Sequence, residues 1–328
     1  MKKIARAHSN IALAKYWGKR NEKLNLPSVG SISLTLAELY TETSVECSAH
    51  FLRDEFSLNG KAAAPEEVRR VSRFLNWVRE QGSANGFCRV ESRNNFPTGA
   101  GLASSASAFA ALAVAATAAL GVSLSKRELS VLARRGSGSA ARSIFGGFVE
   151  MRRGEKSDGS DSFAVPLATA DFWPLTVLIA VTSEEKKSVG STAGMRASAL
   201  TSPYYDAWVH SSEADLTAVR TAILARDFER LAETAEHNCL KMHALMLSSR
   251  PALIYWNSAT LNTIHLIREL RARGWPVFFT IDAGPQVKAI CETNVAQRVS
   301  EALQAVPGVR RVLKTGLGPD ATLLEEKQ

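Results

Sequence analysis

Asn94-Asn95-Phe96-Pro97-Thr98-Gly99-Ala100-Gly101-Leu102-Ala103-Ser104-Ser105-Ala106-Ser107 is the stretch from which the fold is best read. Before it, Phe87 to Glu91 alternates apolar and polar residues, the pattern of a strand with one buried face. After it, Ser104 to Leu120 is rich in alanine and closes on Gly121, the pattern of a helix and its stop. A glycine-rich turn between a strand and a helix makes an anion cradle. Glycine lets the backbone approach closely, and the first helical turn offers unpaired N–H groups and partial positive charge. Serine hydroxyls there can bond phosphate or ligate Mg2+. A tight turn with a serine cap is the bland alternative. A Walker A loop is excluded, because no Gly-Lys-Ser/Thr ends the stretch. The dinucleotide pattern also fails: Gly99 and Gly101 fit, but Ser104 takes the third glycine position.

Further along, Lys126 to Arg134 predicts a second short helix, followed by Arg135-Gly136-Ser137-Gly138-Ser139-Ala140-Ala141-Arg142. Small residues let a ligand sit near the backbone, with Ser137 and Ser139 as donors and Arg142 as a planar charged fork. Towards the N-terminus, Ser9 to Arg20 crowds Lys15, Lys19 and Arg20 beside Tyr16 and Trp17. Far downstream, Thr280-Ile281-Asp282-Ala283-Gly284-Pro285 ends an apolar strand on an acid. That is a turn-former's position, and also a common place to hold a base against a cleft.

The first half otherwise alternates strand-like and helix-like pieces. Ser31 to Leu36 and Thr43 to Cys47 alternate as strands, Asn59-Gly60 signals a hairpin, and Pro65-Glu66-Glu67 opens a helix with Val68, Val71, Leu75 and Val78 on one face. Gly146 to Met151 resumes a strand, Arg152 to Asp161 reads as an exposed hairpin or loop, and Leu175 to Val181 as a central strand. Helical spacing then dominates: Thr192 to Leu200, Pro203 to Ser211, Glu213 to Ala225, Phe228 to Leu240 and Ser258 to Arg273. Strands at Pro276 to Ile281 and Val309 to Leu313 flank a helix from Val295 to Ala305. We divide the chain at Val181-Thr182, into units 1–181 and 182–328.

The 328 residues, 45% hydrophobic and 22% charged, suit a globular chain of about two domains. The four cysteines lie far apart without a Cys-x-x-Cys pair, which excludes a disulfide framework or zinc finger by spacing and suits a reducing, cytoplasmic setting. No metal site built from protein side chains is expected. The first residues do not make a signal peptide, and the apolar run from Ala106 to Val122 is too short for a membrane span. The net charge of +8 comes from dispersed residues without an interleaved aromatic pattern, so a small anionic ligand fits better than nucleic acid or a membrane.

Taken in order, Ser9-Asn10-Ile11-Ala12…Lys15-Tyr16-Trp17-Gly18-Lys19, Pro97…Gly101-Leu102-Ala103-Ser104-Ser105-Ala106, Gly136-Ser137-Gly138-Ser139-Ala140-x-Arg142 and Asp282-Ala283-Gly284-Pro285 resemble the diphosphomevalonate decarboxylase family of the GHMP kinase superfamily. Lys186-Lys187…Ser191-Thr192-Ala193-Gly194-Met195 adds to the resemblance, which spans nearly the whole chain. It implies an α+β fold: an N-terminal α/β domain with a left-handed βαβ crossover, a C-terminal ferredoxin-like domain, and the active site in the cleft between them. It implies that ATP phosphorylates the tertiary hydroxyl of mevalonate 5-diphosphate, after which phosphate and CO2 leave to give isopentenyl diphosphate.

By the same resemblance, Asp282 orients or deprotonates the hydroxyl, Lys15 stabilises moving charge, and Arg142 binds the substrate carboxylate or diphosphate. Asn10, Tyr16, Lys19, Arg70, Ser137, Gly138, Ser139, Ser191 and Thr192 complete the substrate pocket. Pro97, Gly99, Ala100, Gly101, Leu102, Ala103, Ser104, Ser105 and Ser107 hold the ATP phosphates, with Ser105 beside Mg2+. A homodimer is implied as well. The rivals are a relative acting on mevalonate 5-phosphate, a mevalonate-type 3-kinase without decarboxylation, and a non-catalytic nucleotide or RNA binder. A binder has no need to combine an acid, a lysine and an arginine with two phosphate loops.

Overall fold

The computed structural model describes residues 2–82, 86–96, 103–185 and 187–325. A long strand β1 (Lys2–Ala14) opens the chain, followed by a ribbon of β2 (Lys19–Asn21) and β3 (Leu26–Pro27) and a second long strand, β4 (Ser31–Ser48). The hairpin of β5 (Glu55–Leu58) and β6 (Lys61–Ala62) turns at Asn59-Gly60 and leads to α1 (Pro65–Arg79) and β7 (Phe87–Asn94). Helices α2 (Ser104–Ala119) and α3 (Lys126–Gly136), a 3-10 turn over Gly138–Ile144, and strands β8 (Phe148–Met151) and β9 (Ala164–Ala168) complete the first half.

Eight strands form one sheet, ordered β14-β1-β4-β7-β5-β6 with β8 and β9 branching from β4. β4 changes partner along its length: Ser31 to Leu34 pair with β8 and Thr41 to Ser48 with β7. β5 and β7 run parallel and are joined through α1, as a parallel pair requires a crossover. α1 starts where the sequence indicates. Pro65 tolerates the first turn, and Glu67 reaches back to the Ala64 N–H at 3.2 Å. Ser125 and Glu128 cap α3 reciprocally, an arrangement worth about 1 kcal/mol. α2 has small residues around its circumference and is buried on most sides, so it lies close on β1 and β4.

The second half runs β10 (Leu175–Val181), α4 (Ser191–Thr201), α5 (Tyr205–Ala225), α6 (Phe228–Leu247), α7 (Ser258–Ala272), β11 (Val277–Ile281), β12 (Val287–Glu292), α8 (Ala296–Gln304), β13 (Arg311–Thr315) and β14 (Thr322–Leu324). Its sheet, β11-β12-β10-β13, is antiparallel throughout, the order of a ferredoxin-like split βαβ unit. β10 is central and buried on both faces, as its continuous apolar run predicts. One face, with Val177, Ile179, Phe278 and Ile290, packs on Ile11, Leu13, Ile32 and Leu34 of the first sheet. The other, with Leu178, Ala180 and Phe279, packs on Ile264, Ile267, Val299 and Leu303 of α7 and α8. Each such side chain contributes about 2 kcal/mol by leaving water, so the two sheets are bound through one apolar layer. β10 falls before the division at Val181-Thr182 although its partners β12 and β13 make it central to the second sheet, and β14 falls after it although it returns to pair with β1 of the first.

Several features depart from the sequence reading. Tyr205 to Ala225 forms one helix, after a turn at Pro203-Tyr204, where two were read, because Ser211 and Ser212 turn their hydroxyls onto the carbonyls of Ala207 (2.8 Å) and Trp208 (2.6 Å) and leave the helix unbroken. The cysteine spacing misses one disulfide: antiparallel register sets Cys47 of β4 opposite Cys88 of β7, and their sulfurs are bonded at 2.05 Å. Among the dispersed basic residues, some are internal. Arg134, fully buried, donates to the carbonyls of Gly159 (2.7 Å), Leu24 (3.2 Å) and Ser162, and so ties down the segment Arg152 to Asp161.

Candidate active site

A cleft of about 440 Å³ opens at one end of the layer between the two sheets. Its base is built on secondary structure. β1 ends at Ala14, and the next residue, Lys15, has its backbone N–H held by Asn238 of α6 at 2.7 Å. Asn238 donates in turn to Asp215 of α5 (2.7 Å), which also accepts from Lys241 (2.7 Å). β11 ends at Ile281, whose N–H and carbonyl contact the Cys239 sulfur of α6. Thr280 donates to the Ala12 carbonyl at 3.1 Å. These contacts bring the ends of β1 and β11 side by side, and the Lys15 ammonium meets the Asp282 carboxylate at 2.9 Å.

Burial would push the Asp282 carboxyl up. The fields of Lys15 and Lys288, the Lys15 hydrogen bond and the field of Arg142 together outweigh it and hold the group below the ordinary carboxylate value. Arg142, on the 3-10 turn after α3, is 2% exposed. It donates to the hydroxyls of Ser33 (2.9 Å) and Ser31 (2.5 Å) and to the Asn10 side-chain oxygen Oδ1 (3.1 Å). Asn10 is itself oriented by donating to Ser143 (2.7 Å) and the Ser139 carbonyl (3.1 Å). Burial pushes Arg142 down to about 10, against the pull of Asp282, so it is charged at neutral pH.

Around this base lie groups suited to anions. The hydroxyls of Ser105, Ser137 and Ser139 form a chain with spacings of 3.2 and 3.3 Å, joining the start of α2 to the loop after α3. Lys19 donates to Thr192 (3.1 Å), and burial together with Arg70 brings Lys19 down to about 8, with Glu22 opposing. Arg70 donates to the Gly136 carbonyl (2.7 Å) and lies over the Phe109 ring. The Tyr16 hydroxyl is buried without a hydrogen-bond partner among the described residues. A Cβ at position 138 would stand 2.3 Å from that oxygen, which is why glycine occupies it. A second, apolar cavity of about 200 Å³, with Phe56, Leu58, Val71, Phe109 and Leu112 in its walls, adjoins the cleft at Arg70, Ser104 and Ser105.

The structure therefore gathers Lys15, Arg142 and Asp282 with Asn10, Tyr16, Lys19, Arg70, Ser137, Gly138, Ser139, Ser191, Thr192, Ala103, Ser104 and Ser105 about one cleft. Ser107 does not join them. One turn further along α2 it points inward, fully buried, with its hydroxyl 2.7 Å from that of Thr41. Pro97, Gly99, Ala100, Gly101 and Leu102 lie outside the described residues. Sequence reasoning missed Lys187, which lines the cleft and donates to Ser191 (2.7 Å) and the Ala283 carbonyl (3.2 Å). The lysine doublet beside the Ser191-Thr192 helix start was its available signal. It also missed Asn238, Ser31 and Ser33, which carry no local signal because they act across the fold. Among the described residues no group of His, Cys, Asp or Glu is arranged to hold a metal ion, and no helix is long and apolar enough to cross a membrane.

Comparison with known proteins agrees with this geometry along the whole chain. The family model described as diphosphomevalonate decarboxylase-like N-terminal domain matches residues 7–164, and that of the mevalonate 5-diphosphate decarboxylase C-terminal domain matches residues 177–316. The diphosphomevalonate decarboxylase of Homo sapiens is 40% identical over 91% of this chain and 79% of its own length. Among solved structures, MDDEF in complex with MVAPP, AMPPCP and magnesium is 43% identical, with a TM-score of 0.91 over 99% of both chains. The mevalonate diphosphate decarboxylase of Staphylococcus aureus is 39% identical, with a TM-score of 0.93 over 99% of this chain and 98% of that one. With both halves matched in order and the acid, the lysine and the arginine converging on one cleft between them, the chain belongs to the diphosphomevalonate decarboxylase family.

Proposed function

We propose that the cleft carries out the ATP-dependent decarboxylation of mevalonate 5-diphosphate to isopentenyl diphosphate, releasing ADP, phosphate and CO2 through a transient 3-phosphorylated intermediate. The observation that carries this reading is the Lys15–Asp282 pair at 2.9 Å, set beside the buried Arg142 and opposite the serine hydroxyls of two loops. The similar chain solved with MVAPP, AMPPCP and magnesium supports the ligand classes.

Asp282, kept ionised by its cationic neighbours, accepts a hydrogen bond from the tertiary hydroxyl and aims its lone pair at the γ-phosphoryl group. A carboxylate this acidic is a weak base for an alcohol, so orientation is the larger part of its work. Lys15 balances Asp282 and faces the charge that builds on the transferred group. Arg142 is fixed by Ser31, Ser33 and Asn10, and the N–H groups that these do not use bind the substrate carboxylate. Tyr16, Lys19, Ser139, Ser191 and Thr192 receive the diphosphate, with Lys187 close by.

The apolar cavity beside Arg70 suits the nucleotide base, and Ala103, Ser104 and Ser105 at the start of α2 suit the phosphates. Neutral hydroxyls, with no carboxylate cluster among the described residues, fit a magnesium ion that arrives with the nucleotide, with Ser105 as its protein contact. Bound there, Mg2+ would neutralise charge during phosphoryl transfer. Phosphorylation turns a poor leaving group into a good one. As phosphate departs, positive charge grows on the tertiary carbon and is quenched by the electrons of the breaking carbon–carboxylate bond.

The test is a product assay with mevalonate, its 5-phosphate and its 5-diphosphate, following phosphate and CO2 together. Equal release from the diphosphate is expected. Faster turnover of the 5-phosphate reassigns the substrate, and phosphorylation without CO2 reassigns the chain as a kinase. We propose a homodimer on the resemblance, which sedimentation checks.

A further inference from the structure

Lys288 lies on β12, paired with Thr280 of β11 and Ile179 of β10. Residues paired across strands project from the same face. Thr280 reaches the Ala12 carbonyl from that face, so Lys288 points into the layer between the two sheets, below the end of β1 that carries Lys15. The rest of that face is apolar, with Val177, Ile179, Phe278 and Ile290 fully buried. Lys288 is 2% exposed, donates to the Gln286 carbonyl at 3.3 Å and does not line the cleft. An apolar side chain would be cheaper to bury in that layer, so the charge itself needs an account.

The carboxylate that acts on Lys288 is Asp282, which follows the paired residue Thr280 by two positions. Burial pushes the ammonium down to about 8, while Asp282 favours its charged form and Lys15 and Lys187 oppose it. The groups facing Asp282 come from every side: Lys15 after β1, Arg142 on the 3-10 turn, Lys187 before α4, Cys239 and His243 on α6, and Lys288. Burial keeps the Cys239 thiol up and pushes His243 down to about 3, so both are neutral at working pH. Of the four cations, Lys15, Arg142 and Lys187 line the cleft, and their charge is shared with whatever anions bind there.

We propose that Lys288 is a positioning residue: a buried positive charge behind Asp282 that keeps the carboxylate ionised and seated on Lys15 while the cleft fills and empties. The proposal rests on the decarboxylase reading for its purpose, but its test does not. In substrate-free protein labelled with [γ-13C]aspartate, Asp282→Asn identifies the Asp282 carboxyl signal by its loss. In Lys288→Met the titration midpoint of that signal should rise by about one pH unit, whereas Lys288→Arg should restore it. The acid limb of kcat/KM should move the same way, with KM near neutrality little changed.

An unmoved midpoint in a folded Lys288→Met or Lys288→Gln variant overturns the proposal. If neither neutral variant folds, Lys288 is a structural cation and the proposal falls as well. A wild-type chain inactive on mevalonate diphosphate would sink the function above and leave the NMR result standing.

Discussion

The base and the rim of the cleft are built differently. At the base, Lys15 and Arg142 are almost wholly enclosed: Arg142 is fixed by residues on β1 and β4, the Lys15 N–H by Asn238 of α6, and the Lys15 ammonium by Asp282, just past the end of β11. At the rim, Lys19 meets Thr192 and Ser105 meets Ser137 in exposed contacts, on the short strand β2, two helix starts and the end of α3. Exposed polar contacts contribute little, typically under about 1 kcal/mol, and are readily exchanged for a ligand. A buried charge that loses its partner costs several times more. The groups that do chemistry are held before substrate arrives, while the groups that bind phosphate give up weak contacts to do so.

Substitutions can break or sharpen that contrast. Asp282→Ala should lower kcat by roughly 10³-fold while ATP binding persists, measured by steady-state kinetics and nucleotide titration; near-normal turnover would break the comparison outright. Arg142→Gln should lower kcat/KM by about 10²-fold with a folded circular dichroism spectrum.

Asn238→Ala touches no substrate but leaves the Lys15 N–H without its acceptor. It should cost about 1–3 kcal/mol in denaturant unfolding and lower kcat more than it raises KM. An effect on KM alone would show that the base needs no anchoring. The smallest effect belongs to the rim. Lys19, lowered to about 8, is charged and attracts the diphosphate below that pH and is neutral above it. KM should therefore rise a few-fold as pH passes 8, and Lys19→Arg should flatten the rise.

Much of this was legible in the chain itself. The alternation of Phe87 to Glu91, the alanine run of α2, the Pro65 helix start and the apolar strand β10 are local patterns, and local patterns follow from backbone preference and the need to bury one face. The order of the four motifs pointed to Lys15, Arg142 and Asp282. Other features depended on pairing between distant segments. Register set Cys47 against Cys88, although 41 residues separate them. Packing of α6 on the ends of β1 and β11 gave Asn238 its role. Ser107 turned to Thr41 instead of the cleft because helical rotation carries it to the buried side. Lys288 sits in a short segment, Val287–Glu292, that no local pattern marked as a strand. What surrounds an ammonium group, and hence its charge and its purpose, is settled only when the strands beside it are in place.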